Sequence, residues 1–182
     1  LVRDEVPYTF TVTPGLSQDV SERAGGSRVD VFADGEENGG VSIMSDVEPA
    51  GAATVRRADE LARWVAARAS LLTTPVTRGN HDGFDTWSVE ASLSREGMAM
   101  AASCNAHQSS CRPVLEQTEP YRSQTGVSEG MVSRYTFLDV PGLGTVAVWS
   151  WVFPDEDVPW SYADIVLDRY ERLTNSLDFQ AS

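Results

Sequence analysis

Lysine is absent from this chain of 182 residues, so all fourteen basic side chains are arginine. Cysteine and histidine are scarce, with two of each. No apolar run approaches the roughly eighteen residues that a membrane-spanning helix requires. The formal net charge is -13, so a phosphate backbone or an anionic bilayer would be repelled by most of the surface. That argues against nucleic acid as a partner. The absence of lysine, beside abundant alanine, valine and glycine, fits a GC-rich genome and says nothing about function. The opening residues also lack the charged, apolar and small-residue order of an export signal. Because the chain begins at Leu1 rather than methionine, a precursor whose signal has been removed is expected, with room for a membrane anchor there.

What is present points to one folded unit. A hydrophobic content of 41% suffices for one core at this length and not for two, so a single domain over 1–182 is expected. YTFTV at 8–12 alternates like a half-buried strand, and RVDVF at 28–32 and VSIM at 41–44 flank a turn-rich ADGEENGG. From Val55 to Leu72 the period becomes helical, with Ala58, Leu61, Val65 and Leu72 on one face, Thr54 as N-cap and Pro75 as terminator. Trp87, Val89, Ala91 and Leu93 then alternate with Thr86, Ser88, Glu90 and Ser92, a one-sided strand whose polar face should meet water. GMAMAASC follows SREG, so a hairpin should turn at SREG and lead directly into Cys104, and 113–129 reads as a mobile polar connection. RYTFLDV and GTVAVWSWVF make a further hairpin around VPGLG. In its second strand Val146, Val148 and Val152 oppose Trp149, Trp151 and Phe153, so both faces should be covered and the strand central. A last helix begins near Pro159 and repeats Tyr162, Val166, Tyr170, Leu173 and Leu177. Hairpins joined by two helices predict an α+β domain with a mainly antiparallel sheet of about six or seven strands.

LARWVAARASLL, TWSVEASL, the paired cysteines, LDVPGLGTVAVWSW and a closing NSLDF together resemble secreted or membrane-anchored actinobacterial lipoprotein-type domains, which are similar to the Mog1/PsbP-like α-β-α sandwich. The resemblance spans most of the chain in element order and rests on packing patterns. It implies an extracytoplasmic location and a binding or accessory role. It carries over no functional residue.

Chemistry, if any, should concentrate in CNAHQSSC, which holds Cys104, His107 and Cys111. Thiolates with an imidazole suit tetrahedral zinc, with His81 as a distant fourth ligand. Six residues separate the thiols, too many for a C-x-x-C exchange motif. A disulfide Cys104–Cys111 closing a short loop is the preferred reading, worth about 2 kcal/mol from loop closure. Asp34, Glu36, Asn38 and Gly39 partly imitate a calcium loop, but Ser45 stands where an EF-hand needs glutamate, so a solvated hairpin loop is expected. NHDGFD at 80–85 sets His81 beside two aspartates, and a dispersed hydrolase site is the alternative it suggests; no G-x-S-x-G elbow supports it. Trp149, Trp151, Trp160 and Tyr162 could bind a ligand by stacking in a cleft between the sheet and the final helix. The expectation is therefore a non-enzymatic extracytoplasmic domain that binds an unidentified protein or small molecule, with no cofactor and no resident metal.

Overall fold

The structure, a computed structural model, describes residues 8–9, 16–19, 29–33, 39–51, 55–100, 111–117, 124–154 and 160–179. The first part of the chain runs β1 (Tyr8–Thr9), β2 (Leu16–Asp19), β3 (Val29–Ala33), β4 (Gly39–Met44), β5 (Val47–Pro49), α1 (Ala58–Ala66), β6 (Leu71–Thr73), β7 (Thr77–His81) and β8 (Phe84–Leu93). There follow α2 (Arg95–Ala99), β9 (Cys111–Gln117), β10 (Gln124–Ser128), β11 (Val132–Val140), β12 (Gly144–Val152), α3 (Trp160–Thr174) and β13 (Asp178–Phe179).

The main sheet has the order β2-β3-β4-β12-β11-β8-β6, with β7 also paired to β8. All of its pairings are antiparallel. A three-stranded sheet, β10-β9-β5, and the pair β1-β13 complete the strands. The α+β class and the seven-strand path agree with the sequence pattern.

Strand alternation distributes the two helices. Val146, Val148 and Val152 of β12 share a core with Val41 and Ile43 of β4 and with Ala163, Val166, Leu167 and Tyr170 of α3. On the opposite face Ala147 and Trp149 join Val89, Tyr135 and Phe137 beneath Leu61, Ala62 and Val65 of α1. Val47, Val114, Leu115 and Val127 of the small sheet close that second layer. The result is an α-β-α sandwich with β12 central, as its doubly covered pattern predicts.

Several boundaries differ from the expectation. The helical period past Ala66 is coincidental: α1 ends there, and Leu71–Thr73 pairs with β8 as an edge strand. Thr54 lies outside the described residues, and the N-cap is Arg57, whose side chain makes no capping bond. The cap comes from across the fold, because the Ala58 N–H donates to Asp139 Oδ1 at 3.0 Å and Thr145 Oγ1 donates to the same oxygen at 2.7 Å. Asp139→Ala should therefore cost about 1 kcal/mol in a urea melt, with most of it kept in Asp139→Asn.

SREG is a helix start rather than a turn, since Ser94 Oγ accepts the Gly97 N–H at 2.9 Å. The polar connection from Pro113 onward contains the β9–β10 hairpin, with 118–123 outside the described residues. NHDGFD is also a hairpin. Asp82 and Gly83 both have positive φ, 50° and 88°, the type I′ pair that joins two twisted strands with two residues. In the calcium-like segment 34–38 lies outside the described residues, and Gly39 is the first residue of β4.

Candidate functional site

α3 covers β4 and β12 but does not reach across the whole sheet. Where it stops, the face turns polar. β8 and β11 pair so that Ser88 stands opposite Thr136 and Glu90 opposite Arg134, while their apolar partners Val89, Tyr135, Trp87 and Phe137 point to the other layer. These polar side chains floor a groove of about 680 Å³. One wall is the C-terminal end of α3, with Glu171, Thr174 and Asn175; the other is Thr74, Pro75 and β7. The polar face of β8, expected to meet water, meets it inside this groove.

Hydrogen bonds fix the floor. Ser88 Oγ and Thr136 Oγ1 lie 2.9 Å apart, one hydroxyl donating to the other. Thr74 Oγ1 accepts the Glu90 N–H at 3.0 Å. At the hairpin tip, His81 Nε2–H donates to the Leu177 carbonyl at 2.6 Å, tying β7 to the chain beyond α3. Gly79 faces Thr86: a Cβ there would stand 2.8 Å from Thr86 Oγ1. The missing side chain leaves that part of the floor open.

Arg134 is the electrostatic centre. Its Nε and Nη2 both donate to Glu90 Oε1, at 3.0 and 2.7 Å. Nη1 reaches Glu171 Oε2 at 3.0 Å and Asp168 Oδ1 at 3.4 Å. Burial works against the charge, but the Glu90 bond and the charges of Glu90, Glu171 and Asp168 outweigh it and hold the guanidinium above its usual range. The Arg134 cluster, one positive group facing three negative ones, thus keeps an excess of two negative charges, and Arg78, which also lines the groove, is paired with Asp85. Arg134→Met should destabilise by about 2 kcal/mol in denaturant melts, less than a fully buried pair because Asp168 and Glu171 are open to water. The added mutation Glu90→Leu should recover part of it.

The sequence-predicted residues are distributed differently. The cleft beside the final helix exists, but Trp149 and Trp151 do not line it. They point across the sheet from α3, because β12 gives its valines to that helix. Trp149 is buried, donates its indole N–H to Ser133 Oγ at 3.1 Å, and stacks on Trp151 with centroids 4.3 Å apart. Trp160 and Tyr162 belong to the first turn of α3, and their side chains lie outside the described residues. Cys111 is buried and is not a free thiol; Cys104 and His107 lie outside the described residues. Among the described residues no cluster of histidine, cysteine and carboxylate could hold a metal. The zinc reading requires a free Cys111 thiolate, so it is set aside. The hydrolase alternative set His81 beside Asp82 and Asp85, to act with a distant serine. In the structure its ring bonds the Leu177 backbone carbonyl.

Arg134 and Glu171 were not singled out by sequence reasoning. A polar parity shared by Arg134 and Thr136, alternating with the aromatic Tyr135 and Phe137, is the signal that could have found the floor.

No family model matches the chain and no curated protein matches it. Among solved structures, the solution structure of cyanobacterial PsbP (CyanoP) from Synechocystis sp. PCC 6803 is similar to it, at 10% identity and a TM-score of 0.48. The alignment covers 97% of this chain and 88% of that one. The likeness is one of outline, assigns no residue or ligand, and has no counterpart to the actinobacterial lipoprotein part of the resemblance.

Proposed function

We propose that this chain is a non-enzymatic binding module whose ligand is a polar molecule carrying a positive charge, an amine or guanidinium, held in the groove between β7, β8, β11 and α3. One observation carries this: Arg134 is already saturated by Glu90, Glu171 and Asp168. An anion would have to displace those carboxylates. A cation can instead use their remaining lone pairs, and the hydroxyls of Ser88, Thr136 and Thr86 supply neutral donors and acceptors around it. Among the described residues no tryptophan, tyrosine or phenylalanine lines the groove, which disfavours a neutral sugar bound by stacking.

Calorimetric titration with spermidine at low ionic strength tests this. Saturable binding is expected, weakening several-fold as salt approaches about 0.15 M, lost in Gly79→Leu and reduced in Glu171→Gln. Equal heats for wild type and Gly79→Leu would show that the amine binds elsewhere on an acidic surface.

The extracytoplasmic setting belongs to the same proposal. Its support is Cys111, buried and not a free thiol, with Cys104 as the only other cysteine. A Cys104–Cys111 bridge suits an oxidising compartment. Intact mass measured without reductant should be two hydrogens below the reduced value; a reduced mass removes this support. No helix among the described residues is long and apolar enough to cross a membrane.

A further inference from the structure

Five arginines among the described residues have a carboxylate partner. Arg56 meets Glu48, Arg57 and Arg63 meet Asp59, Arg78 meets Asp85, and Arg134 meets its three acids. Arg95 and Arg172 have none but stand in solvent. Arg68 and Arg112 are different: both are partly buried, and neither forms an ion pair among the described residues. In a chain of net charge -13, two half-buried cations left together without an acid call for a reason.

Arg68 follows the end of α1. Its Nη1 donates to the Pro113 carbonyl at 2.9 Å, and its guanidinium carbon lies 4.5 Å from the centre of the Trp64 ring. Arg112, on β9, donates from Nη1 to the Met100 carbonyl at 2.9 Å. Its Nε is buried with no acceptor among the described residues. Burial first, and then the Arg112 charge, hold the Arg68 guanidinium below its usual range, so the two cations feel each other. Arg68 also acts electrostatically on Tyr135, which is wholly buried. Burial pushes the Tyr135 hydroxyl up, against a smaller opposing effect of the Thr125 and Ser133 hydroxyls, and among the described residues no hydrogen bond closes at Tyr135 OH or at Thr125 Oγ1. Thr125 is 1% exposed. Unmet donors thus lie within electrostatic reach of Arg68, which itself bonds the carbonyl of the residue next to Arg112. That is the inverse of the Arg134 groove, where acids are in excess.

We infer that Arg68 and Arg112 form an oxyanion site, with the buried Arg112 Nε–H as its inner donor and the Tyr135 and Thr125 hydroxyls behind it. Planar guanidinium forks suit an oxyanion in geometry as well as charge. The group they take is either a free inorganic oxyanion or the terminal carboxylate of a peptide.

Arginine Nε–Hε spectra of the intact protein test this, recorded during titration with inorganic phosphate and, separately, with an acetylated tripeptide ending in a free carboxylate. Sodium chloride at matched ionic strength is the control. The Arg112 signal should move saturably, at a concentration at least about tenfold below any movement of exposed Arg172, the ratio that one charge-assisted hydrogen bond supplies. Arg68→Gln should remove the movement. A response to phosphate alone assigns a free oxyanion, and a response to the tripeptide alone assigns a partner's carboxylate. No saturable movement of Arg112 with either anion overturns the site, and so does movement unchanged in Arg68→Gln. The wild-type titration is decisive even where the variant does not fold.

Discussion

Phe137→Ala should lower the free energy of unfolding by about 3 to 5 kcal/mol, within the range for emptying a buried aromatic position. Phe137 is wholly buried. It lies in β11 opposite Trp87 of β8 and Ala147 of β12, and its ring stacks on Tyr135 with centroids 6.2 Å apart. Collapse into the void is resisted because β11 is hydrogen-bonded on both edges and cannot shift without breaking two ladders. The cavity therefore persists, which places the cost toward the upper end. The side chain faces α1, so the groove on the other face should retain its affinity in whatever fraction remains folded. A loss below about 1.5 kcal/mol in urea would mean that this layer is not packed to interior density.

Gly97→Ala should be nearly as costly, about 3 kcal/mol, although it adds a single methyl group. A Cβ at Gly97 would stand 2.0 Å from the Ser70 carbonyl oxygen and 2.9 Å from its carbon. Both atoms are backbone, and the oxygen already accepts the Ser94 N–H at 3.0 Å. Ser94 Oγ in turn donates to the Ala69 carbonyl at 2.8 Å and caps α2. Moving Ser70 away would loosen the cap and the junction with β6 together. Met98→Ala, one residue on and 44% exposed, is the control and should stay within about 0.5 kcal/mol. Equal midpoints for the two variants would remove the close approach at Gly97.

The layers were legible because each rests on a period within one segment. β12 shows two covered faces and β8 one, and those two patterns suffice to make a sandwich with a partly open sheet. The groove was not legible in the same way. Glu90 and Arg134 are 44 residues apart, and only the β8–β11 register sets them opposite each other. Tryptophan drew attention to β12, yet parity sent its large rings to the side away from α3. β7 went unread because TRGNH contains little that favours a strand, although Asp82-Gly83 is a strong hairpin signal. α1 was overextended since Leu72 happens to continue its face, and a residue pairing with β8 cannot be distinguished from one more helical turn by periodicity alone.

The groove as a cation site is tested most directly by backbone amide spectra recorded during titration with spermidine. The amides of Thr86, Ser88, Glu90, Thr136 and Glu171 should move together along one saturation curve, while those of Trp64, Val114 and Trp149 stay still. Small shifts spread over the acidic surface without saturation, or shifts confined to the α1 side, would contradict it.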